Sequence, residues 1–233
     1  MVENKKVGKG RKIIMIKAIV FDMDGVIFDS EKVYRKHWML SAREYGIPES
    51  EMRELCDLIA GATKEKNARL MKDRYGEDFD YDAFRMTTMN RMDKEVSEVG
   101  LCLKPGVKEL FQYLKENGYK IGLATSTQKE RAEGNLKRAG ILDVFDKIVY
   151  GGVVEHGKPA PDIYLKACKD LGVNPKEAIG IEDSINGVKS SAAAGLYTIM
   201  VVDLIKPTKE IESLANQIYD SLFDVLHYLD GNK

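Results

Sequence analysis

The chain has 233 residues, 44% of them hydrophobic and 31% charged, enough for one α/β core with a modest second domain and too apolar for a disordered polymer. Thirty-six Lys and Arg against 37 Asp and Glu leave a formal net charge of −1, without the basic excess of a nucleic-acid binder. Cys56, Cys102 and Cys168 are far apart with no CxxC pairing, which predicts free thiols in a reducing compartment.

In chain order, the basic N-terminus (residues 1–12, MVENKKVGKGRK) predicts a flexible tail. The apolar run after it is short and interrupted by Lys17, so neither a signal peptide nor a membrane span is expected and a cytoplasmic location is. Ile13–Phe21 is a nearly continuous β-branched run, as in a central strand of a parallel sheet covered on both faces. It closes on Asp22-Met23-Asp24-Gly25. Residues 31–100 contain no comparable run and are rich in Glu, Lys, Arg, Met and Leu. They predict an inserted small helical domain, broken at Gly46-Ile47-Pro48, Gly61 and Gly76.

From residue 101 the strand-like runs return at 120–125, 147–150, 178–183 and 198–203. Helical segments separate them, the first opening at Pro105 and successive ones stopped at Gly118, Gly140, Gly172 and Gly195. Alternation of this kind predicts a doubly wound, Rossmann-like parallel α/β core formed by residues 13–30 and 101–233. Ligands of such sheets bind beyond the carboxyl ends of the strands, so the polar residues closing each run are the candidates.

Asp22 and Asp24, at i and i+2, point to one side of the first strand end, and Gly25 permits a turn there. Two carboxylates so placed can divide the work of attack and proton transfer, although a solvated acidic turn has the same sequence. Glu182 and Asp183 close another run. Clustered carboxylates repel one another unless a cation lies among them, and hard oxygen ligands suit Mg²⁺. Thr125, followed by Ser126, closes a third run and could bind a phosphoryl oxygen, while Lys158 could supply positive charge. A helix cap and a surface lysine are the plainer readings of those two. Gly152–Lys158 matches GxxxxGK, but Pro159 stands where a P-loop needs Ser or Thr. His37, His156 and His227 lack metal-ligand spacing.

Taken together, DMDGVIFDS, LATST, GKPAPDIY and GIEDSINGV resemble, in order and spacing, the four motifs of the haloacid dehalogenase superfamily. The helical insertion after the first motif is similar to that family's first cap type. The resemblance implies a magnesium-dependent phosphatase with Asp22 as nucleophile and Asp24 as acid and base. It implies Thr125, Ser126 and Lys158 on the phosphoryl group, and Mg²⁺ held by Asp22, Asp24 through its backbone carbonyl, Asp183 and Glu182. The substrate would be a small phosphorylated metabolite, a sugar phosphate or nucleoside monophosphate, with no nucleic-acid or membrane partner and a monomeric or weakly oligomeric state.

β-Phosphoglucomutases of the same branch carry a histidine where Tyr34 stands here, and an arginine after the glycine matching Gly61, where Lys64 stands. Lysine keeps the charge but loses the bidentate fork for a second phosphate. Glu31 after Asp29-Ser30 is similar to the phosphatases of the branch, so a phosphatase is preferred to a mutase, with a silent phosphate-binding regulator as the reading of another class. Tyr34, His37, Lys64 and Arg69 are the candidate specificity residues.

Overall fold

A computed structural model describes residues 15–59, 64–203 and 206–231; the expected tail over residues 1–12 and the break at Gly61 lie outside them. The chain divides into two compact units, one comprising the described chain up to Phe28 and from Cys102 onward, the other Asp29–Leu101.

The first unit is built on six parallel strands in the order β3-β2-β1-β4-β5-β6. These are β1 (Ala18–Phe21), β2 (Lys120–Ala124), β3 (Lys147–Val149), β4 (Ala178–Glu182), β5 (Tyr197–Val201) and β6 (Gln217–Tyr219). The chain steps outward from β1 to β2 and β3, then returns to the other side of β1 for β4, β5 and β6, so β1 lies where the winding reverses. Every residue of β1 and β4 is buried, as their β-branched composition demands. Alternate residues face opposite layers. Ala18 and Val20 pack with Tyr164, Ala167 and Leu171 of one helix, while Phe21 meets Phe111 of another edge to face at 5.2 Å.

β1 is shorter than the apolar run that predicts it. Residues 13 and 14 lie outside the described chain, and Lys17, whose ammonium pairs with Glu177 at 2.6 Å, stands just before the strand. The helix expected to open at Pro105 begins two residues later, at Val107. Gly106 adopts a left-handed conformation as its N-cap, so the proline belongs to the preceding turn.

The second unit contains α1 (Ser30–Glu44), α2 (Glu49–Ile59), α3 (Lys64–Tyr75) and α4 (Tyr81–Val99). Its core surrounds the fully buried Trp38, which meets the rings of Tyr34, Tyr81 and Phe84. The helices of the first unit are α5 (Val107–Glu116), α6 (Lys129–Arg138), α7 (Asp162–Leu171), α8 (Ile185–Ala193), α9 (Lys209–Leu214) and α10 (Leu222–Gly231). Among the described residues no helix is long and apolar enough to cross a membrane. All three cysteines are free, Cys56 and Cys168 buried and Cys102 exposed.

Candidate active site

The register of the central strands assembles the site. Phe21 is level with Leu123 on β2 and Ile181 on β4. The next residue on each strand is therefore Asp22, Ala124 and Glu182, side by side at the carboxyl edge. Asp22 holds this place by donating its backbone N–H to Ile181 O at 2.9 Å. Asp22 is 8% exposed and Glu182 is fully buried.

Lys158 reaches them from the loop between β3 and α7. Its Nζ donates to Asp22 Oδ1 at 2.5 Å and to Ala124 O at 2.9 Å, and lies 2.6 Å from Glu182 Oε1. Tyr164, in the first turn of α7, donates its hydroxyl to Glu182 Oε1 at 2.7 Å and puts its ring 5.3 Å from the ammonium. Burial alone would push Lys158 down, but Asp22 and Glu182 outweigh it and hold the ammonium above the ordinary lysine range. Burial, together with Glu182, also raises Tyr164 well above its usual value, so it remains a neutral donor.

Asp22, Glu182 and Asp183 each offer a carboxylate oxygen within 4.8 Å of the others. Burial outweighs the pull of Lys158 and, with repulsion from Glu182 and Asp24, lifts Asp22 from its ordinary 3.8 to about 7. Burial and repulsion from Asp22, Glu182 and Asp203 lift Asp183 well above the carboxylate range. With all groups ionised, three carboxylates and one ammonium leave two negative charges uncompensated. Oxygen donors with that charge fit a hard divalent cation. Nearby, Asp203 accepts from Lys104 at 2.5 Å through Oδ1, while its Oδ2 is buried without a hydrogen-bond partner among the described residues.

The Asp22 shift has a consequence for the metal-free protein. The folded state binds this proton more tightly than the unfolded chain, so the group's contribution to stability is complete below pH 3.8 and lost as pH rises through about 7. Asp22→Asn removes that loss. In EDTA the melting temperature of the variant is expected to rise relative to wild type between pH 5 and pH 8. A difference independent of pH would contradict the shift.

Two glycines make room for the acids. Gly25 has φ +82°, and a Cβ there would lie 2.0 Å from Asp183 Oδ2. A Cβ on Gly187 would lie 1.9 Å from Glu182 Oε2, and the Gly187 N–H donates to Ser184 Oγ at 3.0 Å, capping α8. Gly25→Ala is expected to cost about 1–3 kcal/mol through its backbone alone. Because the new methyl displaces Asp183, Mg²⁺ is expected to raise the melting temperature of the variant less than that of wild type. A wild-type response to Mg²⁺ would count against this placement of Asp183.

Asp24 lies in the turn after Asp22, where Gly25 N–H donates to Phe28 O at 2.9 Å. Its Oδ2 accepts from the Thr127 hydroxyl at 2.8 Å. Thr125 is fully buried at the end of β2; its N–H donates to Val149 O at 3.0 Å and its Oγ1 accepts from Thr127 N–H at 3.0 Å. Ser126 beside it is exposed. The strand ends therefore bring together Asp22, Glu182, Asp183 and Lys158, with Asp24 and Thr125 linked through Thr127. Gly152–Lys158 leads to no immediate helix, since α7 starts at Asp162, and its lysine is spent on Asp22 and Glu182.

The four specificity candidates have partners within the helical unit. Tyr34 packs on Trp38 with ring centroids 5.4 Å apart, and buried His37 has its Nε2 3.1 Å from Glu95. Lys64 pairs with Asp82 at 2.8 Å, and Arg69 with Asp73 and Glu77 at 2.5 and 2.9 Å. Sequence reasoning passed over Tyr164, Thr127, Lys104 and Asp203. Of these, Tyr164 sat within the quoted motif GKPAPDIY and Thr127 within LATST, and Asp203 closed the run at 198–203, but nothing in the sequence marked Tyr164 as facing Glu182 or Thr127 as facing Asp24.

An acidic cluster with a buried lysine lies at the point where a parallel sheet reverses its winding, the place where α/β enzymes of this architecture bind their ligands. A family model of haloacid dehalogenase-like hydrolases matches residues 16–195, and the chain belongs to that family. It is 32% identical over 184 residues to the phosphorylated carbohydrates phosphatase of Thermotoga maritima, covering 79% of this chain and 84% of that one. It is 29% identical to the β-phosphoglucomutase of Bacillus subtilis, covering 91% and 94%. The crystal structure of CbbY from Rhodobacter sphaeroides in complex with phosphate superposes with a TM-score of 0.73 at 28% identity, covering 93% of this chain and all of that one.

Proposed function

We propose that this protein is a Mg²⁺-dependent phosphomonoester hydrolase that removes phosphate from a small phosphorylated sugar through a phosphoaspartate at Asp22. The observation that carries the reading is the buried contact of Lys158 with both Asp22 and Glu182, in a cluster of three carboxylates that, once ionised, outnumber the ammonium by two. Asp22, Glu182 and Asp183, with the backbone carbonyl of Asp24, would hold the metal, directly or through water. Bound there, Mg²⁺ supplies the positive charge that lets a phosphate dianion approach an ionised carboxylate.

The chain's own groups do the rest. Asp22 attacks phosphorus as the bond to the leaving oxygen breaks, and Asp24 gives that oxygen its proton. Asp24, now ionised, takes a proton from water, whose oxygen attacks phosphorus and frees Asp22. Lys158 offsets charge on Asp22 and on the transferring group. Thr125 accepts from a backbone N–H through Oγ1, and so keeps its own hydroxyl proton to donate to a phosphoryl oxygen. The exposed Ser126 offers a second contact to that group.

The phosphatase from T. maritima supports a sugar phosphate as the substrate class, and the B. subtilis mutase supports phosphoryl transfer within one sugar as the second reading. Tyr34 and Lys64, in place of the mutases' histidine and arginine, favour hydrolysis. Retention of both Asp22 and Asp24 disfavours a silent regulator. Phosphate release from a panel of sugar and nucleoside phosphates decides among these. Release with Mg²⁺ and none in EDTA is expected. Conversion of β-glucose 1-phosphate to glucose 6-phosphate without release would make the protein a mutase, and full activity in EDTA would remove the metal from the account.

A further inference from the structure

We infer that Thr127 is a positioning residue for Asp24, holding its carboxyl group through one hydroxyl in both halves of the reaction. This rests on the acid and base role proposed for Asp24.

Thr127 is fixed on three sides. Its N–H donates to Thr125 Oγ1 at 3.0 Å, and its carbonyl accepts from Gly151 N–H at 2.9 Å. With the backbone pinned between the β2 and β3 ends, its Oγ1 donates to Asp24 Oδ2 at 2.8 Å, across 103 residues of sequence. Among the described residues this is the hydrogen bond made by the Asp24 carboxylate. The turn carrying Asp24 is tied by its own backbone bonds, Gly25 N–H to Phe28 O and Phe28 N–H to Met23 O. Backbone bonds set where Asp24 starts, and Thr127 sets where its carboxyl points.

The chemistry calls for a partner of this type. In the first half Asp24 is a carboxylic acid that gives its proton to the leaving oxygen while the Asp22–phosphorus bond forms. In the second half it is a carboxylate that takes a proton from water while that bond breaks, so its proton count is restored. By donating to Oδ2, the hydroxyl serves the carboxylate and equally the acid, whose transferable proton then sits on the other oxygen. An ammonium in its place would favour the ionised form through its charge and hold back the acid. Anchoring one oxygen on Thr127 leaves the other for the leaving group and for water.

The test compares wild type, Thr127→Val, Thr127→Ser and Asp24→Asn on phenyl phosphate and on 2,4-dinitrophenyl phosphate, whose leaving group needs no proton. Thr127→Val is expected to lower kcat on phenyl phosphate by about 10- to 100-fold, part of the usual general-acid contribution. KM and melting temperature should stay near wild type. The first-turnover burst of dinitrophenolate should be nearly retained, and Thr127→Ser should recover most of the loss. Thr127→Ala carries the same expectation should valine disturb the fold. Equal losses on both substrates in the first-turnover step, or wild-type turnover by the valine and alanine variants, would overturn the inference. Asp24→Asn separates the two levels: if it turns over phenyl phosphate normally, the role given to Asp24 fails; if it is inactive while Thr127→Val turns over at the wild-type rate, only the role of Thr127 fails.

Discussion

Asp22→Asn is expected to reduce steady-state phosphate release by about 10⁶-fold, the scale seen when a covalent nucleophile is removed, with the fold retained. An amide is nearly the shape of the carboxylate, and the backbone bond from Asp22 N–H to Ile181 O does not involve the side chain. The site is also electrostatically relieved, because the replaced group is one that burial and its acidic neighbours already drive towards neutrality. The expected signature is therefore a protein that melts at or above the wild-type temperature in EDTA, binds inorganic phosphate and turns nothing over. Phosphate release and thermal melts on the same preparation check both halves. A stable variant with wild-type turnover would exclude Asp22 as the nucleophile.

Lys158→Met should cost about 10³-fold in kcat, the range found when one preorganised charge donor is removed from a transition state. Methionine keeps most of the stem packed against Tyr164 but removes contacts to Asp22, Glu182 and Ala124 O together. Among the described residues Glu182 would then be fully buried with the Tyr164 and Ser184 hydroxyls as its side-chain donors, and a buried charge without its counter-ion is strongly destabilising. The variant should therefore melt below wild type in EDTA, and Mg²⁺ should restore more of its stability than of its activity. Equal rescue of both by Mg²⁺ would reduce Lys158 to a structural counter-ion.

The candidate site was legible where a residue type and a strand end coincide. Asp22, Thr125 and Glu182 each close an apolar run, so the parallel-sheet rule points at them before any contact is known. Lys158 closes no strand and was recognisable only through its motif. Contacts that depend on loop geometry carried no signal of their own. Thr127 and Asp24 meet across 103 residues, and Lys104 and Asp203 across 99. The last edge of the sheet was also missed: β6 is three residues long with every position only half-buried, too short and too exposed for an apolar run. Pro105 misled for a local reason. A proline one residue before a glycine can open a turn or a helix, and only the left-handed Gly106 decides for the turn.

Covalent chemistry at Asp22 is tested most directly by mixing the enzyme and Mg²⁺ with a ³²P-labelled sugar phosphate that it turns over, quenching in acid within the first turnovers and mapping the label. The account predicts a base-labile phosphoryl group on the peptide containing Asp22, absent from Asp22→Asn. Full phosphate release with the label never on the protein, or a label on any other residue, would contradict it.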